Sequence, residues 1–259
     1  MSRKYIIGIT ALDRAPNENY IENTLNNLEQ SGVFHSDVPH EVHIFDSGSH
    51  SLDYIPKAYD LEIHSPLQSE VDKIREIYND PERNQITLRQ NMVCMADYFS
   101  KSDADFAIMM EDDIETCGSF LESVDLWVDR NFKPQKDKLM PVVSFFTPRV
   151  GVRAAFRSGQ SVWRYPAHKY YGRQCTMVRK EDCASIADWF IQFFKGKSGG
   201  HDLVLQGWML NKFSRRTHLY SSAPCFAQHI GRYSSFVDRK KTRIKPISHS
   251  YQGREWRYI

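Results

Sequence analysis

The chain has 259 residues, of which 41% are hydrophobic and 25% charged, a composition that excludes a disordered chain or a coiled coil. Its 34 Lys and Arg residues nearly balance 32 Asp and Glu residues, so no whole-molecule field requires a nucleic acid or an anionic membrane as partner. Apolar runs such as 106–110 are far shorter than the ~20 residues of a membrane-spanning helix, and we predict no transmembrane segment.

The chain begins with the pattern of a parallel α/β unit. An apolar run of strand length covers residues 5–10 and ends in a polar loop. Apolar side chains at helical spacing predict a helix over 20–28, with Gly32 as its stop signal. Residues 41–45 then alternate like a strand and enter a turn-forming loop at 46–49. This order predicts an α/β fold with a mostly parallel central sheet flanked by helices.

The middle of the chain repeats the pattern, after residues 50–85, for which no element is predicted. Helical spacing returns over 86–100, and the apolar run 106–110 is typical of a strand covered on both faces. A capping box formed by Ser119 and Glu122 predicts the start of the next helix. Further predicted elements are strands over 141–146 and 174–178, helices over 180–194 and from 201, and short strands over 217–220 and 225–230.

Three consecutive carboxylates, Glu111, Asp112 and Asp113, follow the central apolar strand. Ligands of open α/β sheets bind at the carboxyl ends of the strands, and adjacent carboxylates repel one another unless a cation offsets their charge. Oxygen ligands of this kind suit Mg²⁺ or Mn²⁺, which also bridge diphosphates. The same acids can instead solvate a turn and cap the following helix, and the triplet alone leaves both roles open.

His229 lies in an apolar segment that ends at Gly231, a residue that frees the backbone. A histidine in such a pattern is more often a hydrogen-bonded core residue than a ligand. Beside a diphosphate-bound metal it would provide a third protein ligand.

The five cysteines are scattered, with no C-x-x-C pair and no histidine at zinc-finger spacing. This pattern supports neither a disulfide framework nor a structural zinc site, and we expect reduced core thiols in a cytoplasmic protein. The basic N-terminus leads directly into the first strand, without the apolar core of a signal peptide.

Four blocks in sequence order resemble those of a known family. They are Ile6–Arg14 with Tyr20–Leu25, Leu88–Asn91, Met110–Ile114, and Phe226–Gly231 with Ser234 and Ser235. The acid-x-Asp triplet resembles the metal and nucleotide-sugar motif of glycosyltransferases with the GT-A fold. Together the blocks resemble N-acetylglucosaminyltransferase IV and its relatives in glycosyltransferase family 54, over most of residues 5–236.

The resemblance implies a GT-A-like single domain over 1–259. Residues 1–147 would be its nucleotide-sugar-binding half, 148–235 its acceptor-binding half and 236–259 a basic C-terminal tail. The implied metal is Mn²⁺ or Mg²⁺, held by Asp113 and His229. The implied substrate-binding residues are Thr10, Ala11, Asp13, Arg14 and Asp46 around the uridine, Arg89 at the diphosphate, Glu111 and Asp112 at the ribose or at metal-bound water, and Gly231.

The resemblance also implies an inverting transfer from a UDP-sugar, with UDP-N-acetylglucosamine suggested, to an acceptor hydroxyl. Such a reaction requires a carboxylate base. Asp202 is the candidate, since it opens a predicted helix after the glycine-containing segment 197–201, although Asp is equally suited to cap a helix there. His201 is a weaker candidate.

The acceptor is left open by the sequence. Animal relatives carry a membrane anchor and a luminal stem that this chain lacks, so we expect a cytosolic microbial or viral enzyme acting on a saccharide or a lipid-linked glycan. Residues 236–259 carry seven Lys and Arg against two acids, a net +5. The sequence of residues 149–171 interleaves Arg149, Arg153, Arg157 and Arg164 with Phe156, Trp163, Tyr165, Tyr170 and Tyr171.

Cations and aromatic rings in this combination suit phosphate backbones and stacked bases. A viral-type glycosyltransferase that modifies hydroxymethylated DNA bases is therefore a second hypothesis. The sequence is also compatible with a nucleotidyltransferase, which uses strand-end acids and Mg²⁺ as well, and with an inactive module that binds sugars or nucleic acids.

Overall fold

An eight-stranded sheet forms the centre of the protein. The structure is a computed structural model that describes residues 2–13, 19–49, 51–69, 72, 76, 88–132, 140–170, 173–194, 201–213, 218–231, 248 and 250–258, with the backbone only at 88, 89, 201 and 202. The strands are β1 (Tyr5–Ala11), β2 (His40–Asp46), β3 (Glu62–His64), β4 (Phe106–Glu111), β5 (Ile114–Thr116), β6 (Val142–Ser144), β7 (Val162–Pro166), β8 (Cys175–Arg179), β9 (His218–Ser222) and β10 (Ala227–His229). The helices are α1 (Tyr20–Gln30), α2 (Leu88–Lys101), α3 (Phe120–Asn131), α4 (Val150–Arg157), α5 (Lys180–Phe194) and α6 (His201–Phe213).

The strand order of the large sheet is β3-β2-β1-β4-β8-β6-β9-β7. Strands β3, β2, β1 and β4 pair in parallel, as does β6 with β9, whereas β8 is antiparallel to both of its neighbours and β7 to β9. Four of these seven pairings are thus parallel. The predicted β-loop-α-β opening and the mostly parallel α/β sheet are confirmed.

Helices cover both faces of the sheet, which is why its central strands are apolar throughout. Alternate residues of β1 point to opposite faces. Ile7 and Ile9 pack in one core with α1 and α3, whereas Ile6 packs in a second core with α2, α5 and α6. A small antiparallel sheet of β5 and β10 lies beside the first core, next to α1.

The structure contains short elements that the sequence did not predict, namely β3, β5, α4 and β7. Strands of three residues, such as β3 and β5, offer too few positions for alternation to be recognised. The predicted capping box is wrong, because Ser119 has a left-handed backbone (φ 47°) and its side chain makes no cap hydrogen bond. Its backbone carbonyl accepts a bond from Ser123 N–H instead, at 2.8 Å, and α3 begins at Phe120 as the pattern predicted.

The end of the chain packs back onto the core. The Tyr251 hydroxyl donates to the Thr116 carbonyl at 2.9 Å, and Arg254 pairs with Glu115 at 2.7 Å. The rings of Trp256 and Tyr258 lie 5.7 and 5.4 Å from that of Phe226. The last part of the predicted basic tail therefore has a structural role, while residues 236–247 lie outside the described part of the chain.

All five cysteines are free thiols, and four of them are buried. Burial raises the pKa of Cys117 and of Cys183 to about 12, so these thiols stay protonated and unreactive at neutral pH. The expectation of core thiols is confirmed for these four, and Cys94 is half-buried. Within the described ranges, none of the helices combines the length and the apolar character needed to cross a bilayer.

Candidate active site

The acidic triplet lies at the carboxyl end of β4, where the parallel strands β1, β2 and β4 all end. The strand register places Thr10 beside Glu111 and Ala11 beside Asp46. The parallel pairing therefore brings residues that are far apart in the sequence to one edge of the sheet. Of the predicted substrate-binding residues, Thr10, Ala11, Asp13 and Asp46 converge there with the acids.

The pairing of β5 with β10 brings the histidine segment onto the acidic turn. In this antiparallel pair, His229 lies opposite Ile114, and the Ile230 N–H donates to the Asp113 carbonyl at 2.9 Å. The two segments that the sequence singled out thus form one site.

Glu111, Asp113 and His229 form a cluster of possible metal ligands. The His229 Nε2 lies 3.1 Å from Asp113 Oδ1 and 3.8 Å from Glu111 Oε2, and one ligand atom of each residue falls within 4.8 Å of the other two. Asp113 and His229 are buried, with side chains only 1% and 3% exposed, whereas Glu111 is more accessible at 14%. Two carboxylates and one imidazole are a donor set that suits Mn²⁺ and, less closely, Mg²⁺.

Gly231 lies against the Asp113 carboxylate. A Cβ built at this position would lie 2.7 Å from Asp113 Cγ and 2.9 Å from its Cβ. These distances are shorter than real Cβ contacts allow, so the missing side chain is what permits Asp113 to turn toward His229. Gly231 therefore lies beside a candidate metal ligand, and its predicted substrate-binding role stays a prediction.

Asp112 points away from this cluster, toward the loop after β1. Its Oδ2 accepts a hydrogen bond from the Leu12 N–H at 3.2 Å, and the side chain is buried. The carboxylate therefore ties the acidic turn to the loop in which Asp13 lies.

Two polar residues of α1 hold the acidic turn in place. The Thr24 hydroxyl donates to the Asp112 carbonyl at 2.7 Å and accepts from the Ile114 N–H at 3.1 Å. Asn27 Oδ1 accepts from the Thr116 N–H at 2.6 Å. The sequence predicted neither role, because Thr24 lies at the spacing of the apolar side chains of this helix. A Thr and an Asn one turn apart on that face are the only signal in the sequence.

We expect Thr24→Val to destabilise the protein by about 2 kcal/mol, since the buried Asp112 carbonyl and Ile114 N–H lose a partner. Urea unfolding followed by circular dichroism measures the change. Asn23→Ala, on the exposed face of the same helix, is the control and should alter stability far less. Equal unfolding midpoints for Thr24→Val and the wild type would show that the hydroxyl does not hold the turn.

The loop after β2 is organised around Asp46. Its Oδ2 accepts from the N–H groups of Gly48 and Ser49, both at 2.9 Å, and its Oδ1 accepts from the hydroxyls of Ser49 and Tyr54 at 2.6 and 2.7 Å. Burial is the main cause that raises the pKa of Tyr54, and the nearby negative charge of Asp46 raises it further. The Asp13 N–H donates to Ser49 Oγ at 2.9 Å, which joins this loop to the one after β1.

Three predicted residues have side chains that the structure does not describe. Arg14 lies outside the described residues. Arg89 lies in the first turn of α2 and Asp202 at the start of α6, but the structure describes only their backbone. The helix that the sequence predicted from residue 201 is confirmed, and the predicted roles of all three side chains stay predictions.

Arg173 is a charged residue that the predicted site did not include. It is fully buried and lies two residues before β8, whose register places Cys175 beside Met110 at the end of β4. One guanidinium nitrogen contacts the Met92 sulfur, whereas Nε and Nη2 have no hydrogen-bond partner among the described residues. A buried, unpaired cation is costly, so Arg173 favours an anionic ligand nearby.

No family model and no curated protein match the chain. Among solved structures, the fold is similar to that of S. aureus TarS 1–349, with a TM-score of 0.53, 12% sequence identity, and coverage of 85% of this chain and 58% of that one. This chain therefore spans less than two thirds of the TarS structure.

Two glycosyltransferase structures are also similar, at lower scores. The galactosyltransferase LgtC, in complex with donor and acceptor sugar analogues, gives a TM-score of 0.44 at 13% identity and covers 79% of this chain and 70% of that one. Mouse xyloside xylosyltransferase 1 gives 0.43 at 10% identity, with coverage of 83% and 78%. At 12% identity the likeness to TarS concerns the fold alone, and the GT-A-like α/β fold predicted from the sequence is confirmed.

Proposed function

We propose that this protein is a glycosyltransferase that uses a nucleotide-sugar donor and a divalent metal ion. The observation that carries the proposal is the Glu111, Asp113 and His229 cluster at the carboxyl end of the central strand of a GT-A fold. Ligands of open α/β sheets bind at this edge. The loops after β1 and β2 meet at the same edge and would form another side of the donor-binding site.

The residues present fit a metal ion. Asp113 and His229 would hold Mn²⁺ or Mg²⁺, with Glu111 close enough to contribute directly or through water, and Gly231 leaves room for the Asp113 carboxylate. When bound, the ion would offset the negative charge of the diphosphate leaving group. The protein's own contribution is to keep these side chains oriented, through the bonds that Thr24 and Ile230 make to the acidic turn.

The donor would lie across the strand ends, in the orientation that the family 54 resemblance implies. Thr10, Ala11, Asp13, Arg14 and Asp46 would surround the uridine, with Asp112 toward the ribose. Arg89 and the buried Arg173 would offset the diphosphate charge, and Arg173 has donor nitrogens left for this purpose. We propose UDP-N-acetylglucosamine as the donor.

For the transfer itself we propose inversion at the anomeric carbon, with Asp202 as the base. The backbone places Asp202 in the first turn of α6. Its carboxylate would take the proton of the acceptor hydroxyl as that oxygen attacks the sugar carbon from the face opposite the diphosphate. The electron pair of the broken bond leaves with the diphosphate.

We expect Asp202→Asn to lower transfer about 100-fold, at the lower end of the contribution of a general base, while UDP-sugar binding is unchanged. Steady-state UDP release measures transfer, and calorimetric titration measures binding. His201→Ala is the neighbouring control and should keep most of the activity. Full activity in Asp202→Asn would show that another residue is the base.

The acceptor surface would include α4, where Val150, Arg153 and Arg157 are exposed. Two of the rings predicted to stack on DNA bases, Tyr165 and Tyr170, are instead buried in the second core at 3% and 4% exposure. We therefore propose a saccharide or lipid-linked glycan as acceptor, in preference to modified DNA. The free buried thiols agree with a cytosolic site of action.

A donor and acceptor panel tests the proposal. Thermal shift with UDP-, GDP- and CMP-sugars is measured with Mn²⁺, Mg²⁺ or EDTA, and products with glycan and hydroxymethylated-DNA acceptors are identified by mass spectrometry. We expect stabilisation by a UDP-sugar with metal and transfer to a glycan. Transfer to DNA would show that modified DNA, and not a glycan, is the acceptor. Pyrophosphate release from a nucleoside triphosphate and a sugar would indicate a nucleotidyltransferase, and binding without turnover an inactive module.

A further inference from the structure

A second cluster of imidazole and carboxylate groups lies at the edge of the large sheet, on strands β2 and β3. The parallel register places His43 beside Glu62 and Phe45 beside His64, so His43, Glu62 and His64 can meet on one face. The three residues offer ligand atoms within 4.8 Å of one another. None of them has a role in the proposed glycosyl transfer.

The distances within this cluster match those around a tetrahedral zinc ion. His43 Nδ1 lies 3.2 Å from His64 Nε2 and 3.4 Å from Glu62 Oε2, and His64 Nε2 lies 3.7 Å from Glu62 Oε1. Zn–N and Zn–O bonds of about 2.0–2.1 Å at tetrahedral angles separate neighbouring ligand atoms by roughly 3.4 Å. Two histidines and one glutamate are also a ligand set that zinc uses, with water in the fourth position.

The surrounding contacts orient His43 toward the cluster. Its Nε2 lies 3.3 Å from Glu41 Oε2, and Lys4 Nζ donates to the other oxygen of Glu41 at 2.6 Å. A proton on Nε2 leaves the lone pair of Nδ1 directed at His64 and Glu62. Carboxylates that accept from the outer nitrogen of a ligating histidine are a regular feature of zinc sites.

The other two ligands are also held in place. The His64 ring stacks on Phe45, with centroids 4.5 Å apart and planes inclined by 18°. The Tyr98 hydroxyl of α2 donates to Glu62 Oε2 at 3.4 Å. Since the Glu62 side chain is 59% exposed, an ion and a water molecule can reach the cluster from solvent.

We propose that His43 Nδ1, His64 Nε2 and Glu62 bind a Zn²⁺ ion, separate from the metal of the glycosyltransferase site. The ion would join the three-residue edge strand β3 to β2 and so stabilise this edge of the sheet. The ion would take no part in the proposed glycosyl transfer, because the ligands lie on the strands themselves, whereas the proposed donor lies beyond the strand ends.

The test uses the Asp113→Asn variant of the 259-residue chain, in which the proposed catalytic metal site is disabled. Zinc content after equilibrium dialysis is measured by inductively coupled plasma mass spectrometry, and tetrahedral ligation by the visible absorption of bound Co²⁺. We expect one Zn²⁺ per chain. Adding Glu62→Gln, at an exposed side chain that can be changed without unfolding the protein, should weaken Zn²⁺ binding at least about 100-fold. Adding Glu41→Gln instead should weaken it about 10- to 100-fold.

Adding His35→Ala, an exposed histidine bonded to Glu29, is the control for adventitious histidine binding and should change nothing. Equal zinc content with and without Glu62→Gln, or no zinc in the Asp113→Asn protein, would overturn the proposal. Turnover of the single Glu62→Gln variant should equal that of the wild type. Zinc binding at this site and the proposed glycosyl transfer can therefore fail independently of each other.

Discussion

Asp113→Asn is expected to lower metal-dependent turnover of the nucleotide-sugar by about 1,000-fold or more. Asp113 is 1% exposed and its Oδ1 lies 3.1 Å from His229 Nε2. The amide keeps the shape of the side chain but removes the charge that the ion requires. A metal ion that offsets developing charge contributes several kcal/mol to the barrier, and each 1.36 kcal/mol corresponds to a factor of about ten in rate.

Two measurements separate loss of metal from loss of fold. Mn²⁺ binding, followed by electron paramagnetic resonance in the presence of the nucleotide-sugar, should be lost together with turnover, while the thermal unfolding midpoint stays near that of the wild type. Asp103→Asn, an exposed carboxylate at 77% accessibility on the loop before β4, is the matched control. Unchanged turnover in Asp113→Asn would show that Asp113 is not a metal ligand.

The fold could be predicted from sequence where elements are long and buried. Strand β1 and helix α5 were predicted nearly to their ends, because their apolar patterns extend over whole elements of 7 and 15 residues. The pattern was insufficient for β3 and β5, which have 3 residues each. These strands are defined by their pairing with distant segments, which local periodicity does not reveal.

The candidate site could likewise be predicted only where its residues stand out in the local sequence pattern. The acids and His229 are visible as unusual residues in apolar strands, and Glu111, Asp113 and His229 lie in the cluster. Thr24 is a member of an apolar helical face by its spacing, and only the fold shows that its hydroxyl bonds the acidic turn. Arg173 lies between predicted elements in the sequence, and only the fold shows that it is buried and contacts Met92 of α2.

His43 and His64 illustrate the limit most clearly. They are 21 residues apart, and His64 lies in the segment 50–85 to which no element could be assigned. Parallel pairing of β2 and β3 brings their nitrogens to 3.2 Å. A spacing of this length matches no zinc motif that can be recognised in sequence, so the cluster follows from sheet register alone.

Gly231→Ala is expected to lower turnover nearly as far as Asp113→Asn, within about tenfold of it, since displacing a metal-binding carboxylate removes most of the ion's contribution of several kcal/mol. The backbone of Gly231 is not left-handed, so alanine is permitted there by conformation. Its methyl group would instead overlap the Asp113 carboxylate, at 2.7 Å from Cγ, and would turn that group away from His229.

Gly159→Ala provides the matched control. Its added methyl group meets no atom within 4 Å, but the backbone is left-handed (φ +77°), so the variant should lose about 1 kcal/mol of stability and no activity. Steady-state kinetics over a range of Mn²⁺ concentrations should show a raised metal requirement for Gly231→Ala alone. If Gly231→Ala instead matches wild-type metal dependence, Asp113 is held toward His229 by contacts other than the open space at Gly231.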